Sequence, residues 1–388
     1  MEIDLSDERF SHGVPHETFA YLREHEPVWW WPEGSCWVVT THELVEQINR
    51  DFETYSSSGG IVPPDGANIN PSVLLAMDPP VHTEYRRLVI RSFVPRSIQA
   101  IEAAIRSIAR EAIADFVAAG GGDFVVEVAS AIPFRVMALL TGVPRTDERQ
   151  IMKWGNAIAP NADPEYRPTP DAAARANDEL SEYLGAQFDE RCRDPGDDLF
   201  SDLLRARRLD GSPLPDADLR GFGVNYLLGG TETTRNGIAQ SVLALIEHPD
   251  QAQRLVDGDV EVDVATEELL RWTTPVMHHS RWPNQTREVA GRRIAAGDRV
   301  TLWMTSANRD AAVFADADRL DVARTPNPHV ALGGGGPHYC LGSHLARMEM
   351  AVTVDELRPW IGRASLVAPP ERVRSNFING MKHLPLQI

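Results

Sequence analysis

Four consecutive glycines at 333–336 lead through Pro337-His338-Tyr339 into Cys340, and an apolar periodic stretch (Leu341, Leu345, Met348, Val352) starts directly behind it. This pattern constrains the surroundings of Cys340 more tightly than any other stretch of the chain. Glycine has no Cβ, so main-chain N–H groups can close in around the sulfur. The periodic stretch predicts a helix whose positive N-terminal end lowers the thiol pKa. A lone cysteine is usually a small buried hydrophobe. Here the joint pattern argues for a metal-ligating thiolate. Gly334 and Gly336 lie six and four residues before Cys340, His338 two before, Gly342 two after, and Leu345-Ala346-Arg347 and Glu349 follow.

The chain has 388 residues, 43% of them hydrophobic and 24% charged. That is ample for a large core, and no Ser/Gly-rich linker splits it, so residues 1–388 read as a single domain. Three cysteines (Cys36, Cys192, Cys340) cannot form a disulfide framework, which fits a reducing cytoplasm. Acidic residues come early and no long apolar stretch occupies the first thirty positions, so no signal peptide is expected. No apolar run reaches the length of a membrane span. A net charge of −18 argues against nucleic acid as a partner.

Periodicity predicts helices near 82–92, 98–119, 127–142, 147–158, 171–192, 198–208, 216–248, 249–256, 262–273 and 342–359. Strand signals cluster in three places, the last of them near the C-terminus. Val28-Trp29-Trp30-Trp31 and Cys36-Trp37-Val38-Val39 read as a hairpin around Pro32-Glu33-Gly34, and further strands fall within 288–304. The Ser/Gly/Pro/Asn-rich stretch 55–75 reads as a long functional loop, and 309–337 as a meander. The tryptophans at 29–31 and 37 are expected to pack the β lobe. These signals alone define an α-rich mixed globule.

Within 216–248 lies Gly229-Gly230-Thr231-Glu232-Thr233-Thr234. Two glycines inside a helix cost roughly 1 kcal/mol each against alanine, so a close approach to the backbone is expected there. The Thr233 hydroxyl can bond the carbonyl of Gly229 and loosen the helix, and Glu232 adds a titratable group beside it. Such a pair can relay protons. Glu268 and Arg271 share one face of the 262–273 helix at i, i+3. His278-His279 lacks a third ligand at metal-binding spacing, so no zinc site is expected.

Together these motifs resemble the cytochrome P450 family over essentially the whole chain. The resemblance implies a mainly α fold with a small β lobe, formed near 17–50 and 276–304. It implies haem b as cofactor, with Cys340 as the single axial thiolate. The family usually has a phenylalanine at the start of the cysteine loop, where this chain has Gly333 or Leu332. Thr233 and Glu232 take the catalytic positions, and Gly229, Gly334, His338 and Gly342 fall at positions beside the cofactor. His82, Arg86, Arg281 and His329 match the family's propionate-binding cations. Glu268 and Arg271 match a buried structural pair, with Arg319 as the third member from the meander.

The resemblance further implies a monooxygenase that places one atom of O2 into a C–H bond of a lipophilic substrate. Asn225, Leu228, Val276, Met277 and Ile378 are expected to line the pocket. Electrons would come from a ferredoxin and its NAD(P)H-dependent reductase, with Arg91, Arg96 and Arg347 as a basic docking patch. The 375–385 ending and the cysteine loop look like a branch acting on steroids and branched lipids. A natural-product tailoring oxidase on a terpenoid, polyketide or aromatic scaffold is the alternative enzyme. A haem-binding sensor or carrier is the alternative class, but it has no use for the Glu232–Thr233 pair.

Overall fold

In the computed structural model, which describes residues 3–61, 74–159 and 161–388, the tryptophan-rich strand Val28–Trp31 pairs antiparallel with Cys36–Val39. Cys36–Val39 runs parallel to Val300–Trp303, and that strand pairs antiparallel with His278–Pro283. The two-residue strand Tyr55–Ser56 closes the five-stranded sheet. Alternation places Val28 and Val39 with Leu302 in one apolar cluster, while Val38 and Trp303 join Phe10 and Phe19 in another. Trp30 meets Trp37 edge-on at 5.3 Å. Trp29, Trp31 and Trp37 therefore pack the lobe, as their hairpin pattern predicts, whereas Trp30 is 40% exposed.

Helices build the rest. Glu102–Ala118, Ala131–Thr141, Val262–Thr273 and Ser343–Ile361 share the largest apolar core with the central helix Glu232–Glu247. Ile105, Phe134, Leu243, Leu269 and Val352 all lie inside it. The Val262–Thr273 helix ends at Thr274, which is left-handed (φ 41°) and is followed by Pro275, a residue that cannot extend a helix. The chain then turns into the His278–Pro283 strand and carries Arg281 toward the cysteine loop.

The expected helix over 216–248 is not continuous. Asp216–Val224 passes into a π turn over Asn225–Gly229, and α-geometry resumes at Glu232. The cause is local. Three threonine hydroxyls donate to carbonyls four residues back: Thr231 to Leu227 at 2.5 Å, Thr233 to Gly229 at 3.0 Å and Thr234 to Gly230 at 3.3 Å. Each competes with the backbone ladder. Among the described residues no helix is long and apolar enough to cross a membrane. Residues 62–73, most of the expected 55–75 loop, lie outside the described residues.

Candidate functional site

The cysteine loop depends on its glycines. Gly333, Gly334, Gly335 and Gly336 all have positive φ, from 63° to 104°. A Cβ on Gly336 would overlap the carbonyl oxygen of Asn49, so only glycine fits there. The loop is closed by Cys340 N–H donating to the Leu332 carbonyl at 2.9 Å. Gly342 caps the helix Ser343–Ile361, and its N–H is directed at the sulfur. Burial nevertheless pushes the Cys340 thiol up, and the Gly342 N–H with the charges of Arg86 and Arg347 only partly offsets this. The lowering expected from the helix dipole is thus opposed by desolvation of the buried sulfur.

Beside the loop lies a cluster of basic groups. The His82 and His338 rings sit 4.2 Å apart. Both His82 nitrogens and Nε2 of His338 are buried without a hydrogen-bond partner among the described residues. Burial, then Arg86, lowers His82 to about 4. Burial, then Arg281, His82 and Arg86, lowers His338 to about 2. Arg281 donates to the Ser280 carbonyl and to Asn49 Oδ1, and burial lowers it to about 10. Neither Arg86 nor Arg281 forms an ion pair with a described carboxylate. Orphaned buried imidazoles beside two guanidiniums with no ion-pair contact among the described residues are suited to anionic groups brought by a ligand. Gly229 and Gly342 each leave open space where a Cβ would stand. The residues present thus fit a flat, propionate-bearing metal macrocycle.

His329 does not join this cluster. Its Nε2 contacts Glu267 at 3.0 Å and its Nδ1 accepts from the Ala331 N–H. Both ring nitrogens are engaged by the protein, so the cation role expected for His329 is corrected.

On the central helix the two glycines serve different ends. A Cβ on Gly230 would press on Met137 Sδ at 2.9 Å, so Gly230 is a packing residue, whereas Gly229 faces open space. Thr233 is half-buried, while Glu232 is buried and pairs with Arg235, which Asn156 Oδ1 holds from the other side at 2.7 Å. Burial raises the Glu232 carboxyl against the pull of Arg235. Gly155 makes room for Glu232, since its Cβ would lie 3.2 Å from Oε1. A surface groove of about 1050 Å³ reaches Asn156 and Tyr166 on that side.

Glu268 and Arg271 are both fully buried and bidentate, with contacts of 2.7 Å. The third member is Arg324, whose Nε donates to Glu268 at 3.1 Å. Arg319 is exposed and contributes its carbonyl to Arg271 and Arg324. The assignment of Arg319 is therefore corrected. Both arginines lie on the meander, and spacing alone does not show which side chain turns inward. Arg271 also donates to the carbonyls of Asn308 and Ala317, and Asn327 donates to Glu268.

Val276 and Ile378 meet in an isolated antiparallel bridge. Asn225 and Leu228 are half-buried on the widened turn, while Tyr226 and Leu227 face the core. Met277 lies in the β-lobe core with Phe19 and Trp303, so it does not line a pocket as expected. Sequence reasoning missed Asn49, which touches Arg281 and His279 and abuts Gly334 and Gly336. It also missed Glu267, whose carboxylate binds Arg347 and His329. Neither residue stands out in a single sequence as more than a polar helix position.

The sequence profile of the family described as cytochrome P450 matches residues 262–357. Steroid C26-monooxygenase of Mycobacterium tuberculosis is 34% identical over 392 residues, covering 96% of this chain and 89% of that protein. Methyl-branched lipid omega-hydroxylase of the same species is 35% identical over 385 residues, covering 95% and 90%. A Mycobacterium marinum cytochrome P450, solved in complex with pseudoionone, superposes with a TM-score of 0.92 at 34% identity, covering 100% of this chain and 99% of that one. The chain belongs to the cytochrome P450 family. It is an oxidoreductase, a P450 monooxygenase with a haem-iron cofactor, and it uses O2, a lipophilic substrate and outside redox partners.

Proposed function

We propose that this chain is a single-domain, cytoplasmic hydroxylase of steroids or methyl-branched lipids, with haem b as cofactor and a ferredoxin with its NAD(P)H-dependent reductase as electron source. The observation that carries the substrate class is the near end-to-end similarity to a steroid C26-monooxygenase and a methyl-branched lipid omega-hydroxylase. The half-buried, mostly apolar positions Leu228 and Val276, with buried Ile378, support a lipophilic pocket, and Asn225 adds one polar contact.

When bound, the haem iron would supply dioxygen binding and activation. Cys340 is its thiolate ligand in this reading. The Gly342 N–H and the charges of Arg86 and Arg347 stabilise the anionic sulfur. His82, Arg86, Arg281 and His338 hold the propionates, and Gly229, Gly334 and Gly342 admit the macrocycle. Thr233 presents its hydroxyl to the substrate side. Glu232, reached from the outer groove through Asn156 and Arg235, resupplies protons to it. Arg91 and Arg96 steer the ferredoxin, while Arg347, its charge offset by Glu267, adds little to that field.

The test is a spectral titration of the ferric protein with sterols, methyl-branched lipids, terpenoids and aromatic acids. A low-to-high-spin Soret shift with sterols or branched lipids is expected. A shift confined to aromatic or polyketide scaffolds overturns the substrate class in favour of natural-product tailoring.

A further inference from the structure

Two adjacent carboxylates on the Val262–Thr273 helix grip the chain that leads to Cys340. Glu268 receives Asn327, and Glu267 receives His329 two residues further on. Glu267 does more than hold the strap. Its two oxygens take Nε and Nη2 of Arg347 at 2.6 and 3.0 Å. Arg347 Nη1 then donates to the Tyr339 hydroxyl at 3.1 Å. Tyr339 is the residue next to Cys340. An unbroken series of contacts, His329 to Glu267 to Arg347 to Tyr339, thus ends one residue from the sulfur.

The charges of this series lie on Glu267 and Arg347. His329 Nδ1 accepts from the Ala331 N–H, and its Nε2 lies 3.0 Å from the Glu267 carboxylate. Burial works to raise the Glu267 carboxyl, but hydrogen bonds from His329 and Arg347 hold it down at about 2. Glu267 and Arg347 thus form an anion–cation pair within the series. The positive partner touches the cysteine loop itself, through the hydroxyl of Tyr339, the residue before Cys340.

We propose that Glu267 is a positioning residue for Cys340: it orients the Arg347 guanidinium around the cysteine loop, offsets its charge, and so sets how easily the metal held by Cys340 is reduced. The inference rests on the reading of Cys340 as the ligand of a haem iron. A cation close to a metal–thiolate centre favours the state with one more electron, and a second-sphere carboxylate that neutralises it does the reverse.

The experiment is a potentiometric titration of the holoprotein, with the ferrous–carbon monoxide spectrum recorded for each variant. Glu267→Gln keeps the shape and leaves Arg347 uncompensated, so its midpoint potential shifts positive. Arg347→Gln removes the cation and leaves Glu267, so its potential shifts negative. The double variant returns toward the wild type. Tyr339→Phe keeps both charges and moves the potential less than either single change. Shifts of the same sign in both singles, or no shift, overturn the proposal, because a network that only braces the loop loosens it in both. If the wild type itself lacks the red-shifted Soret band of a thiolate-ligated carbon monoxide complex, the ligation reading fails instead.

Discussion

The Thr233 hydroxyl donates to the Gly229 carbonyl across 3.0 Å, at the end of the π turn that interrupts the central helix. The bond costs the helix a regular turn and leaves Thr233 half-buried beside open space at Gly229. Thr233→Ala is expected to keep haem content and NAD(P)H consumption while product per electron pair falls on the order of tenfold or more, with peroxide released instead. Thr233→Ser should restore most of the coupling. Unchanged coupling in the alanine variant would remove Thr233 from proton delivery.

Arg324, not Arg319, completes the Glu268–Arg271 centre. Its guanidinium is nearly buried and also donates to the Ala315 and Asp316 carbonyls. Arg324→Ala leaves one side of a buried carboxylate uncompensated and is expected to cost about 3 kcal/mol. Arg319→Ala should stay within about 0.5 kcal/mol, since only its backbone carbonyl takes part. Urea unfolding midpoints of the two variants decide between the assignments, and the reverse order would restore Arg319.

Much of this arrangement was legible in the sequence because it is local. Cys340, its glycines and its helix are contiguous, as are Gly229, Glu232 and Thr233. The spacing of Glu268 and Arg271 places them on one helix face without tertiary information. What escaped depends on contacts between distant segments. His329 is drawn to Glu267, Met277 turns into the β-lobe core, and Asn49 reaches Arg281 from another helix. Each outcome is set by which way a side chain leaves an irregular stretch or a sheet edge, and periodicity does not encode that. The continuous helix over 216–248 is interrupted where Thr231, Thr233 and Thr234 all back-bond beside two glycines, a concentration of local effects that the apolar pattern does not reveal.

Glycines 229 and 336 should respond oppositely to the same change. At Gly336 the backbone is left-handed (φ 75°) and a Cβ meets the Asn49 carbonyl. Gly336→Ala is therefore expected to destabilise the cofactor-free chain by roughly 1–3 kcal/mol and to reduce haem retention. At Gly229 nothing lies within 4 Å of the added carbon. Gly229→Ala should leave the apoprotein as stable or up to about 1 kcal/mol more stable. Its methyl group then occupies the space assigned to the bound cofactor and oxygen, so the ferric spectrum and ligand affinity should change. Wild-type spectra and affinity in Gly229→Ala would show that this space is not used.

Glu349 makes the clearest pH prediction. It is fully buried on the Ser343–Ile361 helix, and neither carboxyl oxygen finds a partner among the described residues. Burial alone raises its pKa well above the ordinary carboxylate value. The folded chain therefore keeps a proton that the unfolded chain releases. A group with a raised folded pKa contributes stability below its unfolded pKa and loses it as pH rises toward the folded value, here by about 1.4 kcal/mol per pH unit. Glu349→Gln keeps the shape and removes the titration. The variant should match the wild type near pH 4 and become progressively more stable than it through neutral pH, as read from denaturant midpoints at several pH values. A parallel pH dependence in the two proteins would mean that Glu349 is ionised in the fold, held by a partner outside the described residues.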